Sequence, residues 1–299
     1  MDLISIKRKY RNIRNTIVAM FLIVLIAILT IMINEIKRQV QNEAIYNTYL
    51  QQYEQALLDA KIKEEQQKAE EERIRREKLP NLTEQGITNM ANLYTSNKKR
   101  VFLTFDDGPS KTTTIPILDT LKQENIQATF FVLGSRVELY PSIVKRAYEE
   151  GHYIASHGYS HIYSQIYNSA QSVLEEHNKT VNAIRNAVGA QEYNPHLFRF
   201  PGGFKGGKYE TIKQEAAQLL AQNETVYVDW NALTADSAGA KTTEQFIAEL
   251  EKTVPKFNSV VVLMHDAGTK KSTADALPQI IAYFRDRGFE FENFYSVIR

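Results

Sequence analysis

Two adjacent carboxylates, Asp106 and Asp107, stand in the segment Thr104-Phe-Asp-Asp-Gly-Pro-Ser110, where an apolar run that begins at Val101 comes to an end. In such a pair one carboxylate can bind a metal while its neighbour takes a proton. Gly108 and Pro109 stop the run, so it reads as a buried strand entering a loop, with both acids at the strand's carboxyl end. Asp-Asp-Gly-Pro also forms turns for purely local reasons, and the pair alone decides nothing. A second feature joins it: His157 and His161 are four apart in Ser156-His-Gly-Tyr-Ser-His161. On one helical turn the two imidazoles would share a face and could chelate a divalent cation. With a carboxylate added they make the three-ligand set of a hydrolytic metal site, which leaves positions open to water and substrate. Two histidines at this spacing are also a common surface feature. His152, His177 and His196 lack comparable partners and read as ordinary core or surface residues.

The elements that must position these groups follow from alternation. Short β-rich runs are expected at Val101 to Phe105, Ala128 to Leu133, His152 to Ser156, Leu197 to Phe200, Thr225 to Asp229, Val260 to Met264 and Phe289 to Phe291. Between them lie amphipathic stretches such as Ile115 to Gln123, Ile143 to Glu149, Val173 to Ala187, Tyr209 to Ala221, Thr243 to Lys252 and Ala274 to Arg287. Repeated strand-helix units fit a parallel α/β fold, and the pattern alone does not choose between an open sheet and a barrel. Asp106 and Asp107, His157, Arg199, Asp229 and His265 each follow directly on an expected strand. Polar groups placed in this way converge on one rim, as catalytic residues do at a barrel's carboxyl face.

Upstream the chain has a different character. Lys7, Arg8, Lys9, Arg11 and Arg14 precede an almost uncharged run from Thr16 to Ile33, whose roughly 18 residues just reach the length of a membrane span. A secretory signal peptide has a shorter apolar core and a small-residue cleavage site, whereas Asn34-Glu-Ile-Lys-Arg38 follows here, which favours an uncleaved anchor. The basic N-terminus places residues 1–15 in the cytoplasm, 16–34 in the membrane and the remainder outside the cell. From 35 to 79 the chain is rich in Glu, Gln, Lys, Arg and Ala with pairs such as Glu64 and Lys68, and it reads as a solvated helical stalk. If fully helical, the stalk would reach on the order of 65 Å. Its apolar positions keep no firm heptad, so a coiled-coil homodimer is allowed but not demanded. Residues 80–98 form a linker or short packing helix, and 99–299 form the α/β domain. The 299 residues carry a net charge of +1, which gives no basic surplus for nucleic acid, and the absence of cysteine excludes disulfides and thiolate metal sites.

From Lys99 to Arg299 the chain resembles the polysaccharide deacetylase family, the NodB-homology domains of carbohydrate esterase family 4. Thr104 to Ser110 and His157 to His161 carry the resemblance, and Arg199-Phe-Pro-Gly202, Asp229-Trp230 and Leu263-Met-His265 match its later motifs in order. The resemblance implies a distorted parallel barrel of about seven strands and metal-dependent removal of acetyl groups from N-acetylglucosamine polymers. It assigns the metal, usually zinc, to Asp107, His157 and His161. It makes Asp106 the general base toward the attacking water and His265 the acid for the departing amine. Asp229 would hold His265, Arg199 would orient Asp106, Gly202 would offer its backbone N–H to the oxyanion, and Leu263 would line the acetyl pocket. Three departures qualify the match. Gly158 lacks a hydroxyl often found after the first histidine, Gly202 replaces an aromatic wall, and Trp230 follows Asp229 directly rather than at a distance. The reading that results is a membrane-anchored N-deacetylase of peptidoglycan N-acetylglucosamine. The alternatives are a deacetylase of chitin-type oligomers, exopolysaccharide or O-acetylated glycan, and a catalytically silent glycan-binding membrane scaffold.

Overall fold

The computed structural model describes residues 2–299, and the chain divides into two compact units between Arg73 and Ile74. One helix, Leu3–Glu77, runs through the first unit and past its boundary. Its most apolar 18-residue window has a mean hydropathy of 3.1, so by length and composition it can cross a membrane. Its apolar side chains there, Phe21 and Ile23 among them, are exposed. Farther along, Lys68 reaches Glu64 at 2.6 Å on the solvated surface expected of the stalk.

The second unit is built on parallel strands: β1 (Arg100–Asp106), β2 (Thr129–Val132), β3 (Tyr153–Ser156), β4 (Leu197–Phe198), β5 (Val226–Tyr227), β6 (Ala232–Leu233), β7 (Ser259–His265) and β8 (Glu290–Glu292). Seven of them follow the order β5-β4-β3-β2-β1-β7-β6, and β8 pairs with the first half of β1. The path begins at β5 and ends at β6, and no pairing joins those two strands, so the sheet curls into a half-barrel rather than a closed one. The expected barrel is therefore present in its distorted form. The sequence pattern missed β6, which is two residues long and too short to show alternation.

Side-chain parity explains the sheet's two faces. Val101, Leu103 and Phe105 of β1, Phe130 and Val132 of β2, Ile154 of β3, and Val260, Val262 and Met264 of β7 pack outward on a helical layer that includes Leu118, Ile184 and Leu277. Their alternating neighbours Phe102, Phe131, Tyr153, Ala155, Leu197 and Val261 point to the concave face. Successive strand residues must point to opposite faces, so Asp106, His157, Arg199, Leu263 and His265 inherit the concave direction from Phe102, Ala155, Leu197 and Val261. Register then brings them level. Asp106 pairs with His265 across β1 and β7, Val132 with Ser156, and Ser156 with Phe198.

Residues 80–98 hold the helix Glu84–Ala91, capped by the Thr83 hydroxyl accepting from the Gly86 N–H at 2.9 Å. This helix closes the concave layer together with the C-terminal helix Tyr295–Ile298. Thr83 N–H bonds the Ile298 carbonyl, and Asn89 bonds that of Val297. Gly86 makes the close approach possible, because a Cβ there would run into the Ile298 carbonyl. Of the two readings of this stretch, packing helix describes it better than linker.

Candidate active site

The acid pair separates at the end of β1. Asp106 is the last strand residue and keeps the concave direction, while Asp107 has the wrong parity and recovers it through a left-handed backbone, φ 72°. Asp107 Oδ1 then lies 3.3 Å from His161 Nε2 and 3.6 Å from His157 Nε2. His161 also reaches this point through a positive φ of 56°, in a loop after β3 rather than on a shared helical turn. The two histidines therefore meet as expected, but by a route other than i,i+4 helical geometry.

Four observations fit this cluster to a divalent cation. Asp107 Oδ1 is buried and has no hydrogen-bond partner among the described residues. His157 Nδ1–H donates to the Arg199 carbonyl at 2.8 Å, which leaves the Nε2 lone pair facing Asp107. Burial, opposed by Asp107, drives the His157 pKa down to about 3, so the ring is neutral as a ligand must be. The ligand atoms of Asp107, His157 and His161 all lie within 4.8 Å of one another. Donors at zinc bond lengths in a tetrahedron would stand roughly 3.3 Å apart, close to the observed spacings.

Asp106 is oriented from behind. Arg199, fully buried, donates through Nη1 to Asp106 Oδ1 at 2.8 Å and to Thr104 Oγ1 at 2.7 Å, and through its other nitrogens to the carbonyls of Val228 and Asp229. Its guanidinium lies 3.9 Å from the Phe131 ring centroid. Burial raises the pKa of Asp106, while Arg199 and His265 pull it down, and the net direction is upward. A carboxylate raised in this way is a stronger base than an ordinary aspartate.

Across from these groups, His265 Nδ1 meets Asp236 Oδ1 at 2.8 Å, and the His265 N–H donates to Oδ2 of the same residue at 2.8 Å. Thr273 O–H supplies a further bond to Asp236 at 2.9 Å. Burial opposes ionisation of both partners, but their pairing outweighs it. His265 is held above its usual pKa and Asp236 below its own. This corrects the assignment of Asp229. Val226 and Val228 occupy the concave layer, so Asp229 is out of phase with it and turns aside. Its carboxylate instead accepts the Phe204 N–H at 3.1 Å and holds the loop after β4. Asp236 lies three residues beyond β6, so the strand that went unseen also concealed the residue that supports His265. A carboxylate followed by a run of small residues, Asp236-Ser-Ala-Gly239, was the available signal.

Asp106, Asp107, His157, His161 and His265 face a cavity of about 320 Å³ whose walls include Tyr163, Gly202, Trp230, Ser237, Leu263 and Lys270. Gly202, Trp230 and Leu263 thus stand at the site as expected. Two of the three departures are compensated. Although Gly158 has no hydroxyl, Glu176 Oε2 accepts the N–H groups of Tyr159 at 2.6 Å and Ser160 at 2.7 Å and so fixes the loop that carries His161. Gly158 itself has φ 83°, and a Cβ there would meet Ile166 Cδ1 at 2.8 Å. The aromatic wall missing from position 202 is supplied by Tyr163, whose hydroxyl lies 2.5 Å from where a Gly202 Cβ would stand. Asp266 was also missed. It is fully buried with a pKa raised to about 7 by burial, and it accepts from the Thr114 hydroxyl at 2.6 Å beside the Gly108 turn. Loss of a carboxylate that orients a metal ligand's loop typically costs about 10- to 100-fold in metal affinity. Glu176→Ala should therefore weaken zinc binding by that factor in a chelator competition, with wild-type affinity counting against the role.

The pattern of the family described as polysaccharide deacetylase matches residues 94–224. A peptidoglycan-N-acetylglucosamine deacetylase of Bacillus cereus is 31% identical over 204 residues, covering 67% of this chain and 70% of the relative. One from Listeria monocytogenes is 34% identical over 197 residues, but these make up 64% of this chain and only 37% of that longer protein. Among solved structures, a Streptococcus mutans CE4 esterase superposes with a TM-score of 0.63 at 32% identity, over 71% of this chain and 92% of its own. The catalytic domain of a peptidoglycan N-acetylglucosamine deacetylase from Eubacterium rectale gives 0.60 at 31%, over 67% and 90%. Motifs, half-barrel and relatives agree that this chain belongs to the polysaccharide deacetylase family and is a deacetylase, a hydrolase acting on acetyl-amide bonds.

Proposed function

We propose that the protein removes N-acetyl groups from N-acetylglucosamine residues of cell-wall peptidoglycan, anchored in the cell membrane by its N-terminal helix with the catalytic unit outside. The observation that carries the chemistry is the placement of a metal-ligand cluster and a hydrogen-bonded His265–Asp236 pair on opposite sides of one cavity, with Asp106 between them. The polymer is inferred from the names of the relatives, and the location from the apolar helix and the basic residues before it. The stalk leaves room for a homodimer.

Asp107, His157 and His161 would hold the divalent cation, and two imidazoles with one carboxylate favour zinc. When bound, the cation supplies Lewis acidity that polarises the acetyl carbonyl and acidifies water. Asp106, braced by Arg199, takes the proton of the attacking water at its free oxygen, Oδ2. Gly202 presents its N–H to the developing oxyanion. His265, kept protonated by Asp236, gives its proton to the departing amine nitrogen. Leu263 packs beside the acetyl methyl, and Trp230 walls the sugar side.

The test is acetate release measured in parallel from peptidoglycan, chitin oligomers, exopolysaccharide and O-acetylated glycan. Preferential release from peptidoglycan supports the proposal. Equal or greater release from another polymer moves the assignment to that substrate, and no release from any of them leaves the silent scaffold.

A further inference from the structure

We propose that the Tyr163 hydroxyl is a second hydrogen-bond donor to the oxyanion, acting beside the Gly202 N–H. The inference rests on the deacetylase reading and assigns a catalytic residue that none of the sequence motifs contains.

In the loop after β4, residues 200–204, several peptide groups are already engaged. Gly203 N–H bonds the Phe200 carbonyl, Lys213 Nζ donates to the Gly203 carbonyl at 2.6 Å, and Phe204 N–H goes to Asp229. Tyr167, fully buried, donates its hydroxyl to the Pro201 carbonyl at 2.7 Å. That carbonyl belongs to the same planar peptide as the Gly202 N–H. In a trans peptide the two point in opposite directions, so fixing the carbonyl on Tyr167 aims the N–H away from it. Gly202 N–H has no acceptor among the described residues, and Gly202 lines the catalytic cavity.

Tyr163 comes to the same place from the loop that follows the neighbouring strand, β3. It starts the short helix Tyr163–Ile166, two residues past His161, and its ring lies 5.6 Å from that of His161 and 5.7 Å from that of Tyr167. Its hydroxyl stands 2.5 Å from the point where a Gly202 Cβ would be, and so against the Gly202 backbone. It makes no hydrogen bond among the described residues, and Tyr163 also lines the cavity. Two donors without a protein partner among the described residues, one N–H and one O–H, are thus adjacent at the wall beside the metal ligands. Tyr163 is 40% exposed, but its ring is oriented by the neighbouring rings of His161, Tyr167 and Tyr209, and a donor oriented before the reaction costs little reorganisation when charge develops. Only glycine at 202 permits the arrangement, through its φ of 76° and its missing Cβ.

The test compares wild type with Tyr163→Phe, which retains the ring. Acetate release should fall on the order of 10²-fold in kcat, with KM essentially unchanged and bound zinc at wild-type stoichiometry. A methylphosphonamide of a glucosamine oligomer, whose tetrahedral oxygen imitates the oxyanion, should lose affinity for the variant by a similar factor, while the planar acetamide oligomer binds both proteins alike. In Gly202→Ala the new Cβ presses on the hydroxyl, and with that oxygen gone its nearest neighbour is Tyr163 Cζ at 3.3 Å. Gly202→Ala should therefore cost less when combined with Tyr163→Phe than when made alone. Wild-type kcat and phosphonamide affinity in Tyr163→Phe would overturn the proposal. So would a kcat loss explained by missing zinc, or one without loss of phosphonamide affinity. A wild-type protein that neither releases acetate nor binds the phosphonamide would remove the deacetylase reading and this proposal with it.

Discussion

Asp106→Asn should lower kcat for acetate release by on the order of 10³-fold while leaving zinc content and the fold intact. The amide has nearly the same shape, and its oxygen can still accept from Arg199, so the buried guanidinium keeps a partner. What disappears is the ability to take a proton. Asp107→Asn makes the contrasting case, since its orphaned buried oxygen belongs to the ligand cluster and its variant should lose metal first. Inductively coupled plasma measurement of bound zinc beside acetate release separates the two. If Asp106→Asn lost metal and Asp107→Asn retained it, the assignments of base and ligand would be exchanged.

The second large effect belongs to Asp236. Its pairing holds the pKa of His265 above the usual histidine value, so the proton needed by the leaving amine is present below that raised pKa and lost as pH rises through it. Asp236→Asn removes the charge and lets the pKa of His265 fall. The alkaline limb of the kcat profile should therefore move to lower pH, with a loss of roughly 10² to 10³-fold at neutral pH. Asp229→Asn should leave that limb in place, because its carboxylate contacts the Phe204 N–H rather than His265. A profile displaced by the Asp229 variant and not by the Asp236 variant would reverse the correction.

These two aspartates mark where the sequence stops being legible. Long strands such as β1 and β7 announce themselves by apolar runs, and the runs alone suffice to place their terminal residues Asp106 and His265. The parallel α/β class was legible for the same reason, and the histidine pair was legible because ligand chemistry needs those residue types. The resemblance gives Asp229 to His265, and Asp229 does follow an apolar run, but the run's phase turns its side chain away from the concave face. Asp236 follows a two-residue strand with no period to read. Glu176, Asp266 and Tyr163 act through contacts between segments distant in sequence, and local pattern does not encode such contacts. The half-open state of the sheet depends on whether β5 and β6 meet, which is likewise a tertiary matter.

The brevity of β4, β5 and β6 has a thermal consequence. Each spans two residues, whereas β1 and β7 span seven, so the loops bearing Arg199, Asp229 and Asp236 are fastened by side-chain bonds more than by a ladder. Segments with few ladder bonds open at lower free energy than the body of a domain. On gentle heating, amide hydrogens around residues 226–237 should exchange before those of β1 and β7. Turnover would then fade reversibly while the circular dichroism signal still reports a folded protein, an enzyme that pauses with warmth before it melts.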